Sequence, residues 1–256
     1  MNELKNKLDS LAEQYNTPDF INSDPVQFPR QYTKLQDIEV AAFLASTIAW
    51  GNRKQILTGC KRMLHDIMKN RPFDFVKNDD WKSIDPAQNI HRTFFGRDLA
   101  YMCKGLKFAY IISGRWDSLE GFFVESGDVW QGFNVIRDLF ADANDGIYSR
   151  HFSNPNGNRH KGGSACKRLN LMLRWLCRQD GIVDLGVWHD FKPRQLMIPL
   201  DTHVARAGRE LGLIERKSND RITVEESTDK LRDFDINDPC KYDFALFGLG
   251  ESQKHK

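Results

Sequence analysis

Between Asp145 and Asp180 the chain has no acidic residue, although acids and bases nearly balance over its 256 residues, for a formal net charge of +2. The same window holds Arg150, Arg159, Lys161, Lys167, Arg168, Arg174 and Arg178, with His151 and His160. Such local segregation of one charge sign points to a polyanionic partner. Other scarcities exclude whole classes. The five cysteines are scattered and show no C-x-x-C spacing, which argues against a zinc or iron–sulfur site. They fit the reduced thiols of a cytoplasmic protein, with neither metal nor cofactor expected. The longest nearly apolar run, Val40 to Trp50, is far too short to cross a bilayer, so no membrane is expected. Met1–Gln14 spaces Leu4, Leu8 and Leu11 among charges and reads as an amphipathic helix, not a signal peptide. Convincing period-2 strands and internal repeats are both missing. The fold class that remains is all-α.

The patterning divides the chain into helices and connectors. Residues 16–30 carry prolines and turn formers and read as an irregular connector. Asp37 is placed to cap a helix through Trp50 that is apolar nearly all round and therefore buried, with Gly51 ending it. A second helix follows, with Ile56, Cys60, Met63, Leu64 and Ile67 on its inner face. Residues 70–97 read as a loop with short turns, and helices resume over 98–112, 118–125 and 129–143. After a loop over 181–196, Pro199-Leu200-Asp201-Thr202 introduces a helix that stops at Gly212. Thr223-x-x-Glu226 fits a capping box, and Asp238-Pro239 a helix start.

Gly162-Gly163-Ser164-Ala165-Cys166-Lys167-Arg168-Leu169-Asn170 is the chemically loaded stretch. Two glycines allow a tight turn and close approach, and a fresh helix N-terminus offers unpaired N–H groups to an anion. The helix expected over 164–178 buries Ala165, Leu169, Met172, Leu173 and Leu176. Lys167, Asn170, Arg174 and Arg178 fall on another face, either as solvated positions or as phosphate contacts. Lys167 lies in the first turn, where a cation is mildly unfavourable, a setting that suits an amine nucleophile.

Gly162-Gly163 with Lys167, followed by Ile198-Pro199-Leu200-Asp201-Thr202-His203-Val204, resembles the helix-hairpin-helix DNA glycosylase superfamily. The long Lys167–Asp201 spacing is most similar to its archaeal 8-oxoguanine glycosylase branch. The whole chain, including the ending Lys241-Tyr242-Asp243-Phe244-Ala245-Leu246-Phe247-Gly248-Leu249-Gly250, also resembles an uncharacterised bacterial family. The first resemblance implies two helical lobes with a cleft between them. One would span 32–178 and end in the hairpin motif, the other 1–31 plus 194–256. It implies a monomeric base-excision repair glycosylase and AP lyase acting on double-stranded DNA with a damaged base. Lys167 and Asp201 would be catalytic. Gly162, Gly163, Ser164, Arg168, Asn170, Arg174 and His203 would bind DNA, and Trp50 and Asn52 would serve the flipped base. The hairpin departs from the commoner Gly-x-Gly form. Two alternatives stand beside this reading: a non-catalytic nucleic-acid-binding protein, and a metal-dependent phosphohydrolase built on His65-Asp66 and His189-Asp190.

Overall fold

The structure is a computed structural model that describes residues 2–112, 117–157 and 162–252. It is mostly helical, as the patterning requires. In chain order the main helices are α1 (Asn2–Tyr15), α2 (Pro18–Ser23), α3 (Leu35–Thr47), α4 (Arg53–Lys61) and α5 (Pro72–Lys77). A small antiparallel hairpin follows, β1 (Asn89–His91) with β2 (Phe94–Phe95). Then come α6 (Gly96–Lys107), α7 (Glu120–Ser126), α8 (Val129–Ala143), α9 (Lys167–Cys177), α10 (Thr202–Glu210), α11 (Arg221–Arg232) and α12 (Tyr242–Ser252). Among the described residues no helix is long and apolar enough to cross a membrane.

The chain divides into two compact units. One is residues 22–153, and the other combines 1–21 with 154–256. The expected lobes broke at 32 and 178, so α9 changes sides: it belongs with the two chain ends. Its polar face is spent within that unit, on Asp184, Asp238 and Asp243, as described below.

In the unit 22–153, α3 is the central helix and is buried from Ile38 through Thr47. Its Phe43 ring packs on Phe140 at 5.2 Å and on Phe152 at 6.0 Å. Helices α6 and α8 approach closely because Gly105 leaves room for Phe140; a Cβ there would lie 2.3 Å from that ring. Asp37 does not cap α3. Lys34 stands at that position, and Asp37 Oδ1 instead accepts the amide of Phe73 at α5.

The apolar reading of α3 also conceals a charge. Glu39 is fully buried and accepts hydrogen bonds from the Tyr110 hydroxyl (2.6 Å), the Leu119 amide (3.1 Å) and the Ser118 hydroxyl. Burial, with the Glu39 charge beside it, pushes the Tyr110 hydroxyl well above its usual range, so it remains a donor.

In the other unit, α1 and α12 pack together through Gly248, whose missing side chain makes room for Tyr15. Lys241 ties them by bonding Asp9 at 3.1 Å and Asp235 at 2.7 Å. Phe20 of α2 sets its ring edge against Phe244 and Phe247. The expected loop at 181–196 is not loose. Its Leu185, Gly186 and Trp188 amides take up the carbonyls of Trp175 and Leu176, which the end of α9 leaves unpaired. The start of α11 is capped by Asp220, not by the Thr223 box, with Thr223 supplying the amide that Asp220 accepts.

Glu39→Ala strips three donors of their acceptor at once. It is expected to cost about 3 kcal/mol of unfolding free energy, and Glu39→Gln less, in urea titrations. A midpoint unmoved by Glu39→Ala would show the carboxylate to be dispensable.

Candidate functional site

Lys167 is the first residue of α9, and the chain reaches it by a turn that the local sequence specifies. Cys166, buried, takes the left-handed conformation at φ 47°, which costs a non-glycine residue about 1–2 kcal/mol. Two side chains hold it there. Ser164 Oγ accepts the Cys166 amide at 3.1 Å, and Asn170 Nδ2 donates to the Ala165 carbonyl at 3.0 Å. Asn170 also returns its own amide to Cys166 O at 2.9 Å. Asn170 is thus a buried brace for the turn, and the expectation that it contacts phosphate is corrected: its amide group faces the protein.

Of the two roles expected for the glycines, close approach is the one on view, and it is to the chain itself. Gly163 is not among the glycines with positive φ. The helix begins at Lys167 rather than Ser164, and the segment before it is extended. Gly163 is there for close approach, since a Cβ would lie 1.6 Å from Pro155 O. Its carbonyl accepts the Arg221 amide at 2.9 Å, and the Ser164 amide donates to Asn154 O at 3.0 Å. Gly162 and Ser164 are exposed, and Lys167 and Arg168 are half-buried. Burial lowers the Arg168 guanidinium from its ordinary value. Arg159, His160 and Lys161 lie outside the described residues.

Asp201 is the N-cap of α10, and its Oδ1 accepts both the His203 amide at 2.8 Å and the Val204 amide at 2.9 Å. The cap therefore uses one carboxylate oxygen and leaves Oδ2 unused by the helix. His203 turns its Nδ1 to Gly250 O at 3.1 Å, with its ring against Phe247. Gly250 is required there, because a Cβ would meet His203 O at 2.5 Å.

Arg174 overturns its expected role. It is buried, donates to Asp184 Oδ1 at 3.2 Å and to Asp243 Oδ2, and lies over the Phe244 ring at 4.3 Å. Arg178 is buried beside it on Asp184, on Asp180 at 2.8 Å and on Asp238 at 3.0 Å. Guanidiniums committed in this way do not reach a phosphate backbone. The acids that the local sequence lacks are supplied from 180–184 and 238–243.

Asp243 is the residue that sequence reasoning missed. It sits in the first turn of α12, paired to Arg174, and the charges of both Asp201 and Lys167 act on its carboxyl. Burial raises that carboxyl to about 6, and the Asp201 charge adds to the rise against the opposing pull of Arg174 and Lys167. Lys167 and Asp201, far apart in sequence, thus come within electrostatic range of one buried acid. A signal existed. Asp243 is the lone charge in the otherwise apolar run Tyr242–Gly250, and a charge in a buried helix requires a partner.

Trp50 and Asn52 belong to the other unit. Asn52 caps α4 by accepting the Gln55 amide at 3.4 Å, and Trp50 packs on two histidines. His65 meets Gln31 and His189 meets Gln179. Among the described residues no group of three or more His, Cys, Asp and Glu is arranged to hold a metal.

Arg174→Ala leaves Asp184 and Asp243 buried without their shared cation. Unfolding titrations are expected to show a loss of about 3–5 kcal/mol. The Asp243 carboxyl adds a pH signature. Its value rises from 3.8 to about 6 on folding, so the folded chain binds an extra proton between those values. Wild type should therefore gain roughly 1 kcal/mol over Asp243→Asn as pH falls from 7 to 5. Parallel stability curves for the two proteins would contradict the raised carboxyl.

No curated protein and no solved structure matches the chain. A family model does match, over residues 24–252, and its description is "Protein of unknown function (DUF2400)". That match spans most of the chain and includes α9, the α10 cap and the α12 ending, so the chain belongs to the DUF2400 family.

Proposed function

We propose that this protein is a DNA base-excision enzyme in which Lys167 is the amine nucleophile and Asp201 the working carboxylate. One observation carries the reading: Lys167, at the strained entry to α9, and Asp201, at the cap of α10, both act on the buried carboxyl of Asp243. Backbone strain held by two side-chain braces is a feature of places where a side chain must be aimed.

The chemistry follows from those groups. A damaged base, swung out of the duplex, exposes the anomeric carbon of its sugar. The neutral Lys167 amine attacks that carbon, and the glycosidic C–N bond breaks with its electron pair leaving on the base. The attacking nitrogen gives one proton to the departing base; its lone pair then breaks the bond from the anomeric carbon to the ring oxygen, which takes up the second nitrogen proton, and ring opening leaves a Schiff base between Lys167 and the sugar. Asp201 keeps one oxygen in the cap and can turn the other to the positive charge growing on the sugar. Gly162, Ser164 and Arg168 flank Lys167 with exposed or half-exposed groups suited to phosphate. An oxidised purine in double-stranded DNA is the first substrate to test.

Borohydride added to the protein with a duplex bearing 8-oxoguanine is expected to trap a covalent adduct, mapped to Lys167. Lys167→Ala should give none yet still bind, since one lost phosphate contact weakens affinity modestly. Asp201→Asn should melt near wild type, because Asn caps a helix about as well, and should lose base excision. An adduct on another lysine, or none with any lesion tried, sinks the lyase reading. Full excision by Asp201→Asn would reduce Asp201 to a cap.

A further inference from the structure

Among the stretches of this chain that lack acidic residues are 40–65, 86–97 and 146–179. Within the unit 22–153, parts of all three meet. Trp50, in the turn before α4, receives His91 Nε2 on its carbonyl at 2.8 Å, and the His91 ring packs edge-on against the indole at 4.8 Å. His151 stacks along the same indole at 5.5 Å and 23°. Arg62 Nη1 bonds the carbonyls of Asn89 (2.9 Å) and Ile90 (3.1 Å) on β1. Arg150 Nη2 bonds Thr93 O at 3.0 Å in the tip of the hairpin. Arg92, at φ 48° in that tip, folds its guanidinium over Gly51, where an added Cβ would lie 2.3 Å from Nη1.

This convergence gives a face with unusual properties. Arg92 and Arg150 are exposed, and Arg62 and Trp50 are part-exposed. Among the described residues no carboxylate pairs with Arg62, Arg92 or Arg150. The acid that does come near, Asp98, is turned inward: it accepts the Phe95 amide at 2.8 Å and stands 3.7 Å from His151 Nε2. Carbonyls hold Arg62 and Arg150 in fixed positions, so less side-chain entropy is lost when they meet an anion.

We infer that this face is an interaction surface for a single-stranded stretch of nucleic acid, with phosphates on Arg92 and Arg150 and a base against the Trp50 indole. A positively charged surface beside an aromatic ring is a means by which proteins hold single strands without reading sequence. The surface is independent of the proposed chemistry at Lys167, because it lies wholly in residues 22–153.

The experiment is fluorescence anisotropy of the full chain with an undamaged, labelled oligothymidine, titrated at several salt concentrations. The double variant Arg92→Ala/Arg150→Ala is expected to lose about tenfold or more in affinity, and its log–log salt slope to flatten by about 1.4, for two single-strand phosphates. Trp50→Leu keeps an apolar filler but no π-face and should lose on the order of tenfold, whereas Trp50→Phe should retain most binding. The same effects are expected in a Lys167→Ala background, so loss of the lyase reading leaves this surface standing, and the reverse holds too. An unchanged slope in the arginine double variant overturns the surface. If Trp50→Leu binds as Trp50→Phe does, or if heparin suffers the same losses through Trp50, the face holds polyanions without bases and the nucleic-acid inference fails.

Discussion

Two buried arginines hold the unit formed by the chain ends. Arg174 and Arg178 leave the polar face of α9, lie over Phe244, and share Asp184, while Arg174 also takes Asp243 and Arg178 takes Asp238. Charges of this kind are costly to strip of water, and the cluster persists because each guanidinium has several carboxylates within bonding distance. Its geometric consequence is larger than its net energy. It fixes the first turn of α12 against α9, while the start of α10 meets α12 further along, at Phe247 and Gly250.

The same acid-free stretch meets two fates. Around 167–178, tertiary folding brings carboxylates from 180–184 and 238–243, and the apparent basic face becomes interior. Around 150–151, folding brings the acid-poor segments 40–65 and 86–97, and the one acid placed near, Asp98, faces the buried His151, so that Arg150 stays exposed. A charge run read along the chain therefore marks a need for counter-charge without saying whether protein or ligand supplies it. Arg174 and Arg150 carry the same charge in the same stretch, yet Arg174 meets buried carboxylates whereas Arg150 meets a backbone carbonyl and stays exposed.

Much of the site was legible. The all-α class follows from helical periodicity and missing alternation, and the Asp201 cap from its place before α10. The hairpin at 89–95 was not legible, because five strand residues are too short for alternation to register. Nor was the left-handed Cys166, since nothing in a cysteine's own chemistry favours positive φ; Ser164 and Asn170 impose it from either side. The glycines were read for turning and for close approach to a partner, and the close approach they make is to Pro155 and Asp220 of the same chain.

By itself the sequence determined where most of the longer helices form, that α3 is buried, and that Lys167 stands in a helix's first turn and Asp201 at a cap, because these depend on spacings of a few residues; the short α2 and α5 fell in stretches read as connector and loop. Only the tertiary structure decided which charges face inward, that α9 packs with the chain ends, and that Asp243 is the acid on which Lys167 and Asp201 both act. Those outcomes rest on pairings across tens of residues. Local spacing carries no record of them, since a buried charge is specified by its partner and not by its neighbours in the chain.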